Sequence, residues 1–224
     1  MVRPKTYTEE LRNALIDGAA EIVAARGLDG LSLRTLAAEH GTSTNAIYAM
    51  FGGKTELIRT VVQKAAQSFG RTQAAALKGD DVVVDLFELG LAYRRWAIEN
   101  RALYTVMFGS IDYENVADEH RDGVSSETPD GSQGPLIELL TRASEEGLLL
   151  PVPVPVIVAS VWGNVHGLVS LEIAPWSGLP ELAEAREEIY RLHQGAILRG
   201  WVRPDIDLSE YMSNIRTTTS APAS

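Results

Sequence analysis

The residues best suited to do chemistry in this sequence form a short polar run, Thr42-Ser43-Thr44-Asn45, set between Gly41 and an apolar helical repeat of Ala46, Ile47 and Phe51. Hydroxyls and a carboxamide in the first turn of a helix are hydrogen-bonding groups, not acids or nucleophiles. Thr42 or Ser43 can cap the helix, and the rest of the run is left to face outward. Ala37, Gly41 and Ile47 supply what two short helices crossing at a tight turn require. These are a small side chain at the crossing, a permissive φ at the turn, and a branched apolar plug beneath the second helix. The pattern reads as a helix-turn-helix whose second helix enters the major groove. Two ordinary core helices would explain the apolar residues but not the polar opening.

Other chemistries find little support. The chain has no cysteine, which removes disulfides, thiolate metal sites and cysteine nucleophiles together and suits a reducing cytoplasm. His166 has no second histidine three or four residues away and no HExxH motif is present, so neither a metal nor a cofactor is expected. Glu145-Glu146 and Glu187-Glu188 read as solvated helix faces, not as a catalytic pair. An all-helical enzyme, the rival from another class, would need paired acids or a nucleophile beside a base, and none is apparent. The first ten residues carry no apolar run of signal-peptide length. The longest apolar region, from Leu148 to Leu171, is broken by Pro151, Pro153, Pro155, Asn164 and His166, so no membrane segment is expected.

Net charge is −10, which by itself argues against a polyanionic partner. Its distribution reverses the argument. Residues 1–72 hold nine Lys/Arg against seven Asp/Glu, whereas residues 73–224 hold eleven against twenty-three. The basic charge is segregated at the end that carries the polar helix, and Arg3 and Lys5 add a short arm suited to a minor groove.

The elements that must position these residues are helical throughout. Leu11, Leu15, Ala19, Ile22 and Val23 keep helical spacing up to a capping Gly27. Ser32 caps a second helix through Leu33, Leu36 and Ala37 that Gly41 stops, and Gly52-Gly53 ends the third. From Lys54, Leu57, Ile58, Val61, Val62, Ala65 and Phe69 extend a long fourth helix to about Leu77. Further helices are predicted over 82–99, 101–108, 135–146, 155–173 and 181–202, with no strand pattern. The acidic stretch 112–134 reads as a mobile loop and 217–224 as a disordered tail. The expected fold is therefore all-α with about nine helices. A helix-turn-helix domain spans 1–53, a linking helix 54–79, a ligand-binding and dimerisation domain 80–216, and the tail 217–224.

The segment GLDGLSLRTLAAEHGTSTNAIYAMFGGKTEL resembles the TetR family of transcription regulators, whose pattern is a Leu-Ser/Thr-x-x-x-Leu-Ala helix, a glycine turn, a recognition helix with Tyr, and Phe-x-x-Lys-x-x-Leu. The resemblance covers about residues 8–60. It implies a three-helix DNA-binding domain hung on a longer fourth helix, followed by a helical domain that dimerises and binds an inducer. Thr44 and Asn45 match positions that face base edges, with Thr42 and Ser43 beside them. Tyr48 matches a tyrosine that meets phosphate and thymine methyl, its alternative role being to pack against helix one. Lys54 matches a phosphate-binding lysine at a helix N-terminus, and Ser32 and Arg34 match backbone clamps, Ser32 serving equally as a cap. Many members carry His before the Phe, where this chain has Met50, which removes one phosphate contact.

Beyond residue 80, Val161-Trp162-Gly163-Asn164-Val165-His166-Gly167 and Arg101–Gly109 resemble a subgroup of such regulators with a Trp-x-x-x-His-Gly signature. Gly163 and Gly167 share one helix face and allow close approach of another helix. The resemblance implies that the last two long helices form a four-helix bundle with a second copy. The expected dimer interface comprises Gly163, Gly167, Leu171, Ile189, Leu192 and Ile197, and without a partner Val158, Val161, Val165, Leu168 and Leu171 would be only partly covered. Trp96, Tyr104, Met107, Phe108, Trp162, Asn164 and His166 are the candidate ligand-binding residues, because apolar walls with few polar groups define small-molecule sites. The function expected is a cytoplasmic homodimeric regulator, in most such proteins a repressor, that binds palindromic double-stranded operator DNA. A small apolar effector would release it by pivoting helix four. A DNA-binding accessory protein that fills the pocket with its own side chains is the alternative.

Overall fold

The structure is a computed structural model that describes residues 7–79, 81–108, 133–174 and 186–209. The basic arm, most of the acidic stretch and the tail therefore lie outside the described residues. Among those residues there are nine α-helices and no strand: α1 Glu9–Arg26, α2 Leu33–Glu39, α3 Thr44–Phe51, α4 Lys54–Ala76, α5 Val82–Glu99, α6 Arg101–Phe108, α7 Gly134–Glu145, α8 Val154–Ile173 and α9 Arg186–Trp201. The chain divides into two compact units, one of residues 1–70 with 100–131 and one of residues 71–99 with 132–224. Residues through Gly70 of α4 belong to the first and the remainder of that helix to the second.

In the first unit, Thr8 starts α1 by accepting the Leu11 N–H on its Oγ1, while Glu9 and Glu10 place negative charge in the first turn, where the helix dipole favours it. Gly27 ends the helix at φ 71°, a conformation that costs glycine no Cβ clash. Leu15, Ile16 and Ala19 of α1, Leu36 of α2, Ile47 of α3, and Leu57 and Val61 of α4 are almost wholly buried, so each helix contributes one stripe to a common core. Such burial decides stability, since truncating one of these leucines to alanine costs about 2–5 kcal/mol. Lys64 of α4 pairs with Asp17 of α1 at 2.6 Å, and α6 packs on α1.

In the second unit, α5, α7, α8 and α9 pack around Leu86, Leu89, Leu140, Ile157, Val158 and Leu198. The turn before α5 is tied by a buried carboxylate: Asp85 accepts the backbone N–H groups of Lys78 and Gly79, both at 2.9 Å, and meets Arg142 at 3.5 Å. Arg94 of α5 and Glu172 of α8 form a bidentate pair at 2.8 and 2.7 Å. An antiparallel bridge, Leu149 with Val202, closes the chain after α9 onto the α7–α8 connection.

Candidate functional site

The turn between α2 and α3 is built by backbone bonds that the sequence makes available. The Thr42 N–H reaches the Ala37 carbonyl at 2.9 Å, and Gly41 adopts φ 61°. Ser43, and not Thr42, is the N-cap of α3, its Oγ accepting the Ala46 N–H at 3.2 Å. Gly52 ends α3 in the left-handed region at φ 85°, donating its N–H to the Tyr48 carbonyl at 2.8 Å. The helix is thereby held to two turns and divided into two faces. Ala46, Ile47 and Phe51 are buried, with the Arg12 guanidinium 5.1 Å from the centre of the Phe51 ring. Asn45 and Tyr48 are exposed, Tyr48 by 55%, so the ring is not consumed by packing on α1. Thr42 and Thr44 are half-buried and Ser43 is exposed.

Three further candidates lie on the neighbouring helices or their caps. Ser32 caps α2, accepting the Thr35 N–H at 3.4 Å, and Arg34 is exposed in the first turn of that helix. Lys54 is exposed as the first residue of α4, where free backbone amides and the helix dipole favour an anion. What the arrangement can do is hydrogen-bond. It presents an amide, hydroxyls, a phenol and a cation on the two short helices α2 and α3, whose opposite sides are locked in the core, and a second cation at the start of α4.

The second unit contains a cavity of about 50 Å³ lined by Gln73, Leu86, Leu89, Gly90, Tyr93, Gln133, Leu136, Val161, Trp162, Val165, Gln194, Ile197 and Leu198. Of the seven candidate ligand residues, Trp162 alone is on this wall. Trp96 is 1% exposed and does not line it. Tyr104, Met107 and Phe108 belong to the first unit, where the Phe108 ring meets Tyr104 at 5.0 Å and Phe69 at 5.9 Å between centroids. Asn164 is exposed, its side-chain amide donating to the Ser160 carbonyl at 2.8 Å. His166 stacks on Trp162 at 5.2 Å, meets the Tyr93 hydroxyl at 2.8 Å through Nδ1 and Ser170 at 3.4 Å through Nε2, and burial holds its pKa below the usual 6.5. Its two neighbours Tyr93 and Trp162 reach the wall; the imidazole itself does not.

Gln73, Gly90, Tyr93 and Gln194 were not singled out from the sequence. One signal was present: Gln194 interrupts the stripe Tyr190, Gln194, Leu198, and Gln73 follows Phe69 by four, so each puts a carboxamide in an apolar register. Both are buried and both donate to α5 carbonyls, Gln73 to Leu89 at 3.5 Å and Gln194 to Phe87 at 3.4 Å. Tyr190 adds a third such bond, to Gly90 at 2.6 Å.

The face of α8 that carries the glycines is open. A Cβ at Gly163 or Gly167 would meet nothing within 4 Å, and Leu171 is 60% exposed, as is Leu192 of α9 by 46%. Ile189 is half-buried, and Ile197 is half-buried on the cavity wall. The expectation that Val158, Val161 and Val165 await a partner is corrected: all three are buried within the second unit, because the 3.6-residue period turns them toward the chain's own core. By length and composition α8 is apolar enough to cross a membrane, and Ile157, Val158, Val161, Val165 and Val169 are the residues of it that are buried.

Sequence and structure comparisons agree on a relationship. Residues 15–61 match the family described as bacterial regulatory proteins, tetR family, and residues 86–194 match a Tetracyclin repressor-like, C-terminal domain. No curated protein matches the chain in sequence. Among solved structures, the TetR family transcriptional regulator PfmR from Thermus thermophilus is 23% identical, with a TM-score of 0.63 over 83% of this chain and 97% of that one. A protein of unknown function from Rhodococcus sp. RHA1 is 21% identical, with a TM-score of 0.66 over 90% and 100%. A complex of SmeT with triclosan is 17% identical, with a TM-score of 0.64 over 88% and 94%.

Proposed function

The chain belongs to the TetR family of transcription regulators, and from that premise we propose that it is a homodimeric repressor whose α3 reads an inverted-repeat operator and whose second unit binds a small effector that releases it. The observation that carries the reading is the division of α3. Its apolar side is fixed in the core while Asn45 and Tyr48 stand exposed on the other, and the cations Arg34 of α2 and Lys54 of α4 are exposed as well. In this reading Asn45 and Thr44 meet base edges. Tyr48, Lys54, Arg34, Ser32, Thr42 and Ser43 hold the phosphate backbone and set the register.

The effector would enter the cavity of the second unit. One helix, α4, carries both Lys54 and the cavity-lining Gln73, which gives occupancy of the cavity a continuous element through which to act. Release requires that the effector bind the DNA-competent and DNA-incompetent states with different affinity. At about 50 Å³ the cavity is well under the roughly 300–1,000 Å³ of typical ligand sites, so the effector is small or the cavity widens around it.

The test is selection of bound duplexes from a random pool by the full-length chain. The expected product is an inverted repeat with half-sites centred about one helical turn, or a multiple of it, apart. A selected site with a single unrepeated half, or no enrichment at all, would reject the dimeric operator reading.

A further inference from the structure

The cavity in the second unit includes a residue with one polar atom that the fold leaves without a hydrogen-bond partner. Gln194 is 5% exposed and its Nε2 is committed to the Phe87 carbonyl, whereas its Oε1 is buried and has no partner among the described residues. Position 90, across from it on α5, is glycine, and a Cβ there would overlap Gln194 Nε2. The missing side chain at Gly90 therefore admits the carboxamide with its nitrogen turned to α5, and the oxygen is the end left to be satisfied.

A buried acceptor with no donor is a cost that a leucine in the same stripe would avoid. An occupant that donates a hydrogen removes that cost. Among the described residues the rest of the lining is leucine, valine, isoleucine, tyrosine, tryptophan and neutral amide, with no charged residue. An ionised molecule would give up its hydration there without a counter-charge. We infer that the cavity takes a neutral, mostly apolar molecule bearing one O–H or N–H donor, which it gives to Gln194 Oε1. The inference rests on the effector-site reading above and specifies the chemistry of that site.

Three probes built on one ring separate the possibilities: benzyl alcohol, which can donate; benzyl methyl ether, which cannot; and benzoate, which is charged. Each is titrated into the full-length protein, with binding followed by tryptophan fluorescence, since Trp162 lines the cavity, and by calorimetry. The alcohol should bind about 3- to 10-fold more tightly than the ether, the ratio expected of one net hydrogen bond. Gln194→Met, similar in length but without the acceptor, should abolish that preference and leave the affinity for the ether unchanged. If Gln194→Met fails to fold, the ratio in the unmodified protein decides alone. Equal or tighter binding of the ether or of benzoate, or saturation by none of the three, overturns the inference. An alcohol that binds with the expected preference yet leaves operator retention unchanged upholds the ligand chemistry and rejects only the effector role.

Discussion

The Tyr93 hydroxyl and His166 Nδ1 lie 2.8 Å apart and join α5 to α8, with the imidazole stacked on Trp162 and its Nε2 3.4 Å from Ser170. Burial lowers the His166 pKa from 6.5, so the folded protein holds this ring neutral at and above neutral pH. Below 6.5 the unfolded chain takes up the proton before the folded one does. This histidine's contribution to stability is therefore constant above 6.5, falls as pH drops through that value, and levels off once the folded pKa is passed. Thermal melts from about pH 7.5 to about pH 5.5 should show a steeper loss in the wild type than in His166→Gln. Parallel losses in the two proteins would contradict the assignment.

Asn45, Tyr48 and Lys54 are all exposed, so their replacement should separate recognition from stability. Asn45→Ala should relax preference at one position of each half-site, costing about 1–3 kcal/mol against the preferred base. Lys54→Ala should weaken binding to every sequence alike and reduce the salt slope by about one. Tyr48→Ala should weaken operator binding while its unfolding free energy stays within about 0.5 kcal/mol of wild type. Identical behaviour of Asn45→Ala and Lys54→Ala across operator variants would refute the division of roles.

Gly167 tests the proposed dimer. Because a Cβ there meets nothing within 4 Å of its own chain, Gly167→Leu has room in the protomer and should leave its helical content unchanged. At a close helix crossing between copies the same leucine overpacks, which typically costs about 1–3 kcal/mol. Sedimentation should show a dimer weakened about 5- to 150-fold for that range. An unchanged dimer would move the interface away from this face of α8, while Leu171→Glu with Leu192→Glu probes the exposed leucines beside it.

Asp85 offers a stability test independent of function. It is 1% exposed and accepts two backbone N–H groups of the turn before α5, beside Arg142. Asp85→Ala strands those donors and should destabilise the second unit by about 1–3 kcal/mol for each that is cut off from water. Denaturant unfolding that matches wild type would show that solvent reaches the turn and replaces the carboxylate.

The helices, their caps and the helix-turn-helix are legible in the sequence because each depends on residues within four positions of one another. Ser32 and Ser43 bond backbone N–H groups three residues on, Gly27, Gly41 and Gly52 take conformations that side chains resist, and Ile47 follows from a period of 3.6. Local bonds of this kind need no knowledge of the rest of the chain. The cavity is different, since Gln73, Gly90, Trp162 and Gln194 come from four helices and become neighbours only when α4, α5, α8 and α9 pack. Periodicity could mark Gln194 as a carboxamide in an apolar stripe, but not that Gly90 would stand opposite and admit its nitrogen. Nor could it tell which stripe of α8 faces inward, because valines and open glycines alternate around a helix apolar on nearly every side. Local spacing determined the elements and the reading head; the long-range packing of apolar faces decided which polar atoms were buried together and which surface was left uncovered.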